Sequence, residues 1–182
     1  AAIYGEGERR HLLRIMSVAR SGLLRFTIGD PRSKVDWVHV DNVAYAHVRA
    51  ASRLLCDPDG VGGEAYFVSD ESPQNNFDFL RPIVEQGMGV PQPTFCLPVW
   101  IALLLARFLE LIPARLCPKF LVPILLTRAE VVKVGVTHWF KTTKARARLG
   151  WSPVVTPAEG LRRTVEYLRG LRGVPAAEAE SG

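Results

Sequence analysis

The sequence predicts an α/β chain, and three observations carry that prediction. Val35-Asp36-Trp37-Val38-His39-Val40 reads as a strand and runs into a helical stretch that Asp41 or Asn42 can cap. Ala65-Tyr66-Phe67-Val68 reads as another strand, and a helix capped by Asn75 or Asn76 follows it. A helix with a full start signal comes last: Thr156 at the N-cap, Pro157 in the first helical position and Glu159 three residues after the cap.

The remaining elements follow in chain order. Tyr4-Gly5-Glu6-Gly7 is a tight loop whose glycines permit dihedrals other residues avoid. Glu8 to Ser21 has helical spacing of Leu12, Ile15, Met16 and Ala19, and Gly22 stops it. Leu24 to Ile28 alternates like a short strand, and Gly29-Asp30-Pro31 turns the chain. The helix opened by Asp41 runs to about Leu55, and Asp57 to Gly63 is an exposed turn. The helix after Asn76 buries Phe77, Leu80, Ile83 and Val84 and ends at Gly87; Pro91-Gln92-Pro93 is a stiff linker. In the last helix Leu161, Val165, Leu168 and Leu171 form the buried stripe.

Leu97 to Ile112 is the most apolar stretch. Its uninterrupted part is far short of the roughly 20 residues a spanning helix needs, and Arg107 is placed to pair with Glu110. The run Phe120 to Leu126 is shorter still and carries Pro123. Two readings stand for Leu97–Leu126: a core helix closing a substrate lobe, or a surface contact with a membrane. Trp100, Phe108 and Phe120 beside Arg107, Arg115 and Lys119 suit an interface.

Composition excludes several classes. Of 182 residues 48% are hydrophobic and 23% charged, which is ordinary for one globular domain. Cys56, Cys96 and Cys117 are an odd, scattered set, expected as buried reduced thiols rather than disulfides or zinc ligands. His39 and His47 lack ligand spacing, so no metal is expected. The net charge of +5 gathers late, at Lys141, Lys144, Arg146, Arg148, Arg162, Arg163, Arg169 and Arg172. No stacking platform or DNA-reading motif accompanies it, so solvated helix faces are expected and nucleic acid is not. The sequence divides into a domain over 1–172 and a disordered tail over 173–182, rich in Ala, Glu and Gly.

Three segments together resemble the extended short-chain dehydrogenases/reductases. Ile3-Tyr4-Gly5-Glu6-Gly7-Glu8 is similar to the family's YGPG-type loop, with Glu6 where the loop has Pro. Asp36-Trp37-Val38-His39-Val40-Asp41-Asn42-Val43-Ala44 resembles its D-F-V-H-V-D-D-V-A segment. Phe140 to Pro153 with Thr156 to Tyr167 resembles its closing signature. Within the family the chain is most similar to the 3β-hydroxysteroid dehydrogenase/isomerase branch, and closest to family 42E. Gly29 to Asn42 and Asn75 to Pro82 carry that likeness.

The resemblance implies the C-terminal part of an extended Rossmann-fold dehydrogenase: the end of the parallel sheet plus a small mixed substrate lobe. It implies hydride transfer between a CH–OH carbon of a steroid-like substrate and NAD or NADP. That chemistry needs a Gly-rich turn entering a helix, and Tyr and Lys four residues apart. Gly60-Val61-Gly62-Gly63 enters no apolar-periodic helix, and no Tyr here has Lys four residues on. Both parts, and most of the cofactor's contacts, are expected upstream of Ala1, and this chain alone is expected to be inactive. Here no catalytic residue is assigned. Tyr4, Gly5 and Gly7 are implied at the nicotinamide end of the cofactor, against simple packing for Tyr4. Asp36, Trp37 and His39 are implied to bind substrate, against a core role for Trp37 and an internal acceptor role for Asp36. Asp41 is read as the N-cap.

Nucleotide-sugar epimerases of the superfamily usually place Arg before the equivalent of Asp36. Val35 stands there and cannot grip a diphosphate. A non-catalytic binding or membrane-associated module is the other alternative. The expected location is the cytoplasmic face of a membrane, the endoplasmic reticulum by resemblance, or the cytoplasm.

Overall fold

The structure, a computed structural model, describes residues 2–8, 11–20, 26–111 and 127–171. Its centre is a parallel strand pair. β1 (Ala2–Tyr4) lies beside β3 (Trp37–His39) with Ala2 opposite Trp37 and Tyr4 opposite His39. A crossover containing α1 (Leu12–Arg20) and β2 (Thr27–Ile28) joins them, and α2 (Val40–Cys56) leaves β3 directly. β2 pairs in parallel with β4 (Cys96–Leu97) to start a second small sheet.

Three apolar clusters hold these pieces. The largest packs Tyr4, Leu12, Met16, Val35 and Trp37 against Phe79, Leu80, Ile83, Val84 and Met88, and closes with Val165 and Leu168. Another joins Ile28 and Leu97 to Ala102, Ala106 and Val131, between α5 (Val99–Leu111) and α6 (Arg128–Gly135). The third sets α2 through Ala46 against Val61, Ala145, Leu149 and Trp151. Val61 belongs to α3 (Pro58–Val61), and Ala145 and Leu149 to α7 (Thr143–Leu149).

Local signals decide several ends. Asn75 caps α4 (Asn76–Pro82), accepting the Phe77 N–H at 2.9 Å. Thr156 caps α8 (Pro157–Gly170), accepting the Glu159 N–H at 3.3 Å. Gly150 ends α7 with φ 63°, the left-handed conformation in which a Cβ is costly.

Tertiary contacts move other ends. The helix expected from Glu8 begins at Leu12, because the Glu8 carboxylate takes the N–H groups of His11 (2.7 Å) and Leu12 (2.6 Å). The helix expected to stop at Gly87 widens into π-helix over Ile83–Met88 and stops at Gly89, φ 75°. Pro82, which has no N–H to give the preceding turn, stands where the widening starts. Ala65–Val68 is not a strand, since a strand needs a neighbour to bond and none runs beside this segment among the described residues. Val35 makes only isolated bridges, to Gln74 and His138. The turn after Asp57 coils into α3, with the Asp57 carboxylate capping Gly60.

Glu110 pairs with Arg128 at 2.6 Å instead of the expected Arg107. Cys56 is exposed rather than buried, and Cys96 is half-buried. The Gly22 stop, Leu24 and Arg25, the Phe120–Leu126 run, Cys117 and the tail lie outside the described residues.

Candidate functional site

Open parallel sheets bind ligands outside the carboxyl ends of their strands. In this chain those ends are Tyr4 and His39. The Gly5–Gly7 loop follows the first, and the N-terminus of α2 follows the second. Gly5 has φ 136° and is crowded: a Cβ would sit 2.7 Å from Val40 Cγ1. Gly7 has φ 78° and nothing within 4 Å of its Cβ position, so its backbone faces open space. A flat cofactor ring could approach the loop at Gly7.

Tyr4 itself is fully buried. Its ring meets Trp37, His39 and Phe79 edge-on, and Trp37 stacks on Phe79 at 4.6 Å. Its hydroxyl donates to Asp70 Oδ2 at 2.7 Å. Burial first, then the hydrogen bond to and the charge of Asp70, push the phenol's pKa well above its ordinary value. Tyr4 therefore stays protonated and supports the loop from beneath.

Asp70 and Asn42 join the strand ends to the close of the chain. Asp70 Oδ1 accepts the His39 N–H at 3.0 Å and the Asn42 amide at 2.7 Å. The Asn42 amide also donates to the Val155 carbonyl at 2.9 Å, and its oxygen accepts the Val154 and Val155 N–H groups at 2.8 Å. The Trp151 indole N–H donates to the Asn42 carbonyl at 3.1 Å. Neither residue carries a site signal in the sequence. Asn42 reads as a candidate cap and as one member of the D-F-V-H-V-D-D-V-A-like segment, and Asp70 has no signal because its partners Tyr4 and His39 lie 66 and 31 residues away.

The helix cap expected at Asp41 or Asn42 belongs to His39, whose Nδ1 accepts the Asp41 N–H at 3.2 Å. β3 ends one residue before its apolar run does, so Asp41 falls inside the first turn. His39 Nε2 faces Glu6 Oε2 at 3.3 Å. Arg163 of α8 bridges Glu6 Oε1 (2.5 Å) and Asp41 Oδ2 (2.9 Å).

A cleft of about 150 Å³ lies at the other, amino ends of the strand pair, where Ala2 and Trp37 stand opposite each other. Ala2, Ile15, Val35, Trp37, Leu80 and Val134 give it an apolar wall; His11, Asp36, Asn76, Glu130, Lys133 and His138 give it polar groups. Asp36 is buried and accepts the Phe140 N–H at 3.1 Å through Oδ2, leaving Oδ1 without a hydrogen bond. The Trp37 indole N–H is likewise buried without a hydrogen-bond partner. The structure thus brings Asp36 and Trp37 to the cleft and buries His39 with Tyr4 behind the loop. Much of the late basic charge meets acids: Arg146 pairs with Glu71, Lys144 with Glu64, and Arg162 with Glu159 and Glu166.

The parallel pairs and crossover helix define part of an extended Rossmann-type α/β fold. UDP-glucuronic acid 4-epimerase from Bacillus cereus, solved in complex with NAD, superposes with a TM-score of 0.54. It covers 94% of this chain and 43% of its own at 16% identity, a likeness of fold alone. A sequence model of the 3-beta hydroxysteroid dehydrogenase/isomerase family matches residues 1–99, and the chain belongs to that family. Short-chain dehydrogenase/reductase family 42E member 1 of Mus musculus is 46% identical over 154 residues, 84% of this chain and 39% of its own. The 3beta-hydroxysteroid-dehydrogenase/decarboxylase isoform 2 of Arabidopsis thaliana is 33% identical over 169 residues, 91% of this chain and 30% of its own. The chain spans well under half the length of either relative.

Proposed function

We propose that this chain is the substrate-binding part of an NAD(P)-dependent oxidoreductase acting on the CH–OH group of a 3β-hydroxysteroid-like molecule. Family membership supports the class. The observation that carries the substrate is Val35. It lies in the cleft wall immediately before Asp36, among apolar neighbours, where a diphosphate-gripping arginine would be needed for a nucleotide sugar. An apolar wall suits a sterol skeleton.

The cofactor, when bound, takes the hydride. This chain's contribution is to offer the Gly7 backbone at the rim, to hold that loop on Tyr4, and to wall the cleft. The proton-transferring tyrosine and lysine are not in this sequence. The test is nicotinamide reduction by the full-length protein carrying this chain, with 3β-hydroxysteroids as substrate and UDP-sugars as competitors. Steroid-dependent reduction supports the reading. Tight UDP-sugar binding without steroid oxidation would give the epimerase alternative instead. A native polypeptide of only 20.2 kDa would favour a non-catalytic module.

We also propose that α5 rests on a membrane surface, on the cytoplasmic side. Trp100 (69% exposed), Leu104 (49%) and Phe108 (60%) follow one another at four-residue spacing. The opposite face, Ala102 and Ala106, is fully buried. Among the described residues no helix is long and apolar enough to cross a membrane, so the contact is a surface one.

A further inference from the structure

We infer that Arg163 of α8 is a positioning residue: by clamping Glu6 against Asp41 it sets how closely the Tyr4–Gly7 loop can approach a dinucleotide. The inference rests on the cofactor reading above and goes beyond it, because it gives the closing helix a part in cofactor binding.

The loop cannot hold its own shape. Glu6 stands between two glycines with positive φ, at the position where the resembling loop has proline. Proline would lock its own dihedral, whereas glutamate does not. The restraint must come from contacts: two reach this side chain, and a third ties its arginine partner to α2. Arg163 Nε donates to Glu6 Oε1 at 2.5 Å, across 157 residues of sequence. Arg163 Nη1 reaches Asp41 Oδ2 at 2.9 Å, which ties the same guanidinium to the first turn of α2. His39 Nδ1 accepts the Asp41 N–H, and its Nε2 lies 3.3 Å from Glu6 Oε2, a close approach without a hydrogen bond.

An exposed ion pair would contribute little. This one differs in geometry. Glu6 Oε2 and His39 Nε2 are both shut off from solvent, and the planar fork of one arginine spans two carboxylates on two elements. A second contact presses the same helix to the same place. Gly160, one turn before Arg163, lies so close that a Cβ would meet Tyr4 Oη at 2.6 Å and His39 Cδ2 at 2.8 Å. The loop between the glycines is thus suspended from α8.

The experiment uses the full-length protein carrying this chain, as wild type, Arg163→Ala, Arg163→Lys, Glu6→Gln and the Arg163→Ala/Glu6→Gln double variant. Cofactor Kd and KM are measured with NAD and NADP, and backbone amide exchange is followed at residues 5–8. Loss of the clamp is expected to weaken cofactor binding by about tenfold or more, with the loss falling on KM for cofactor rather than on kcat. Arg163→Lys should recover part of it, and the double variant should be no worse than the poorer single one. Amide protection at 5–8 should fall in Arg163→Ala. Cofactor Kd unchanged in Arg163→Ala, or additive losses in the double variant, would overturn the inference. Wild type that binds neither nicotinamide cofactor would remove the functional reading. In that event, unchanged exchange at 5–8 would overturn the clamp as well, and faster exchange would keep it as a loop restraint.

Discussion

Asn42 and Val155, 113 residues apart, bond in both directions: the Asn42 amide donates to the Val155 carbonyl at 2.9 Å and its oxygen accepts the Val155 N–H at 2.8 Å. One side chain at the start of α2 thereby fixes where the closing segment lies, and hence where α8 begins.

Asn42→Ala should be among the most destabilising substitutions in the chain. It strips partners from the Val154 and Val155 N–H groups, the Val155 carbonyl and Asp70. The bond to Asp70 is buried and those to Val154 and Val155 are partly so; a group left unsatisfied away from water costs on the order of 1–3 kcal/mol, so a total of about 3 kcal/mol is expected. Urea denaturation measures it. A loss below about 1 kcal/mol would mean that water replaces the amide without penalty.

Gly160→Ala reverses a familiar sign. In a helix interior alanine is favoured over glycine by about 1 kcal/mol. In α8 the added carbon would press on Tyr4 Oη and His39, and a loss of about 1–3 kcal/mol is expected from overpacking. Gly170→Ala, with nothing within 4 Å, is the control and should be neutral or slightly stabilising. Equal thermal midpoints for the two variants would refute the close approach.

Glu71 reports on acid. Hydrogen bonds from Arg146 hold its carboxyl below the usual carboxylate range; burial opposes this, and the Thr142 hydroxyl and the Arg146 charge assist it. A folded-state pKa below the unfolded one stabilises fully above about pH 4.3, and the benefit fades as pH falls through the folded value. Glu71→Gln should therefore be less stable than wild type at neutral pH, with the gap closing in acid. Glutamine keeps the side-chain length while the backbone sits at φ 56°. A gap independent of pH would assign the effect to packing.

Trp100, Leu104 and Phe108 replaced together by Ser should lower recovery with floating vesicles of neutral and acidic phospholipid. These side chains support no buried cluster, so the thermal midpoint should hold. Leu103 is a poor probe, since it packs against the Ile28–Val131 cluster. Equal flotation of wild type and variant would dispose of the membrane contact.

What the sequence reveals tracks the range of the interaction. The Thr156 cap with Pro157 and the cap at Asn75 or Asn76 are settled within a few residues; the first stands as read, and of the second pair Asn75 is the cap. The Asp41 cap does not, because its assignment depended on where β3 stops, and pairing with β1 decides that. Ala65–Val68 has strand-like residues and finds no strand neighbour among the described residues. The cleft could be approached through Val35 and Asp36, which adjoin in sequence. The Tyr4–Asp70–Asn42 network could not, because a polar residue after an apolar run looks the same whether it ends in solvent or in the core.

The π-helical segment gives the helix room for one residue more than an α-helix would hold. Over Ile83–Met88 the backbone carries more residues per turn than an α-helix, and the wide turn sets Gly87 against Leu168 of α8. Deleting one residue there would rewind the segment to ordinary pitch and leave the chain beyond it pointing nearly the same way, because the wide turn takes up its extra residue over about the rotation of an α-turn. What would go is the wide turn itself, and with it the seat that Gly87 offers to Leu168. The extra residue is absorbed locally, and its cost or benefit is confined to the face that receives α8.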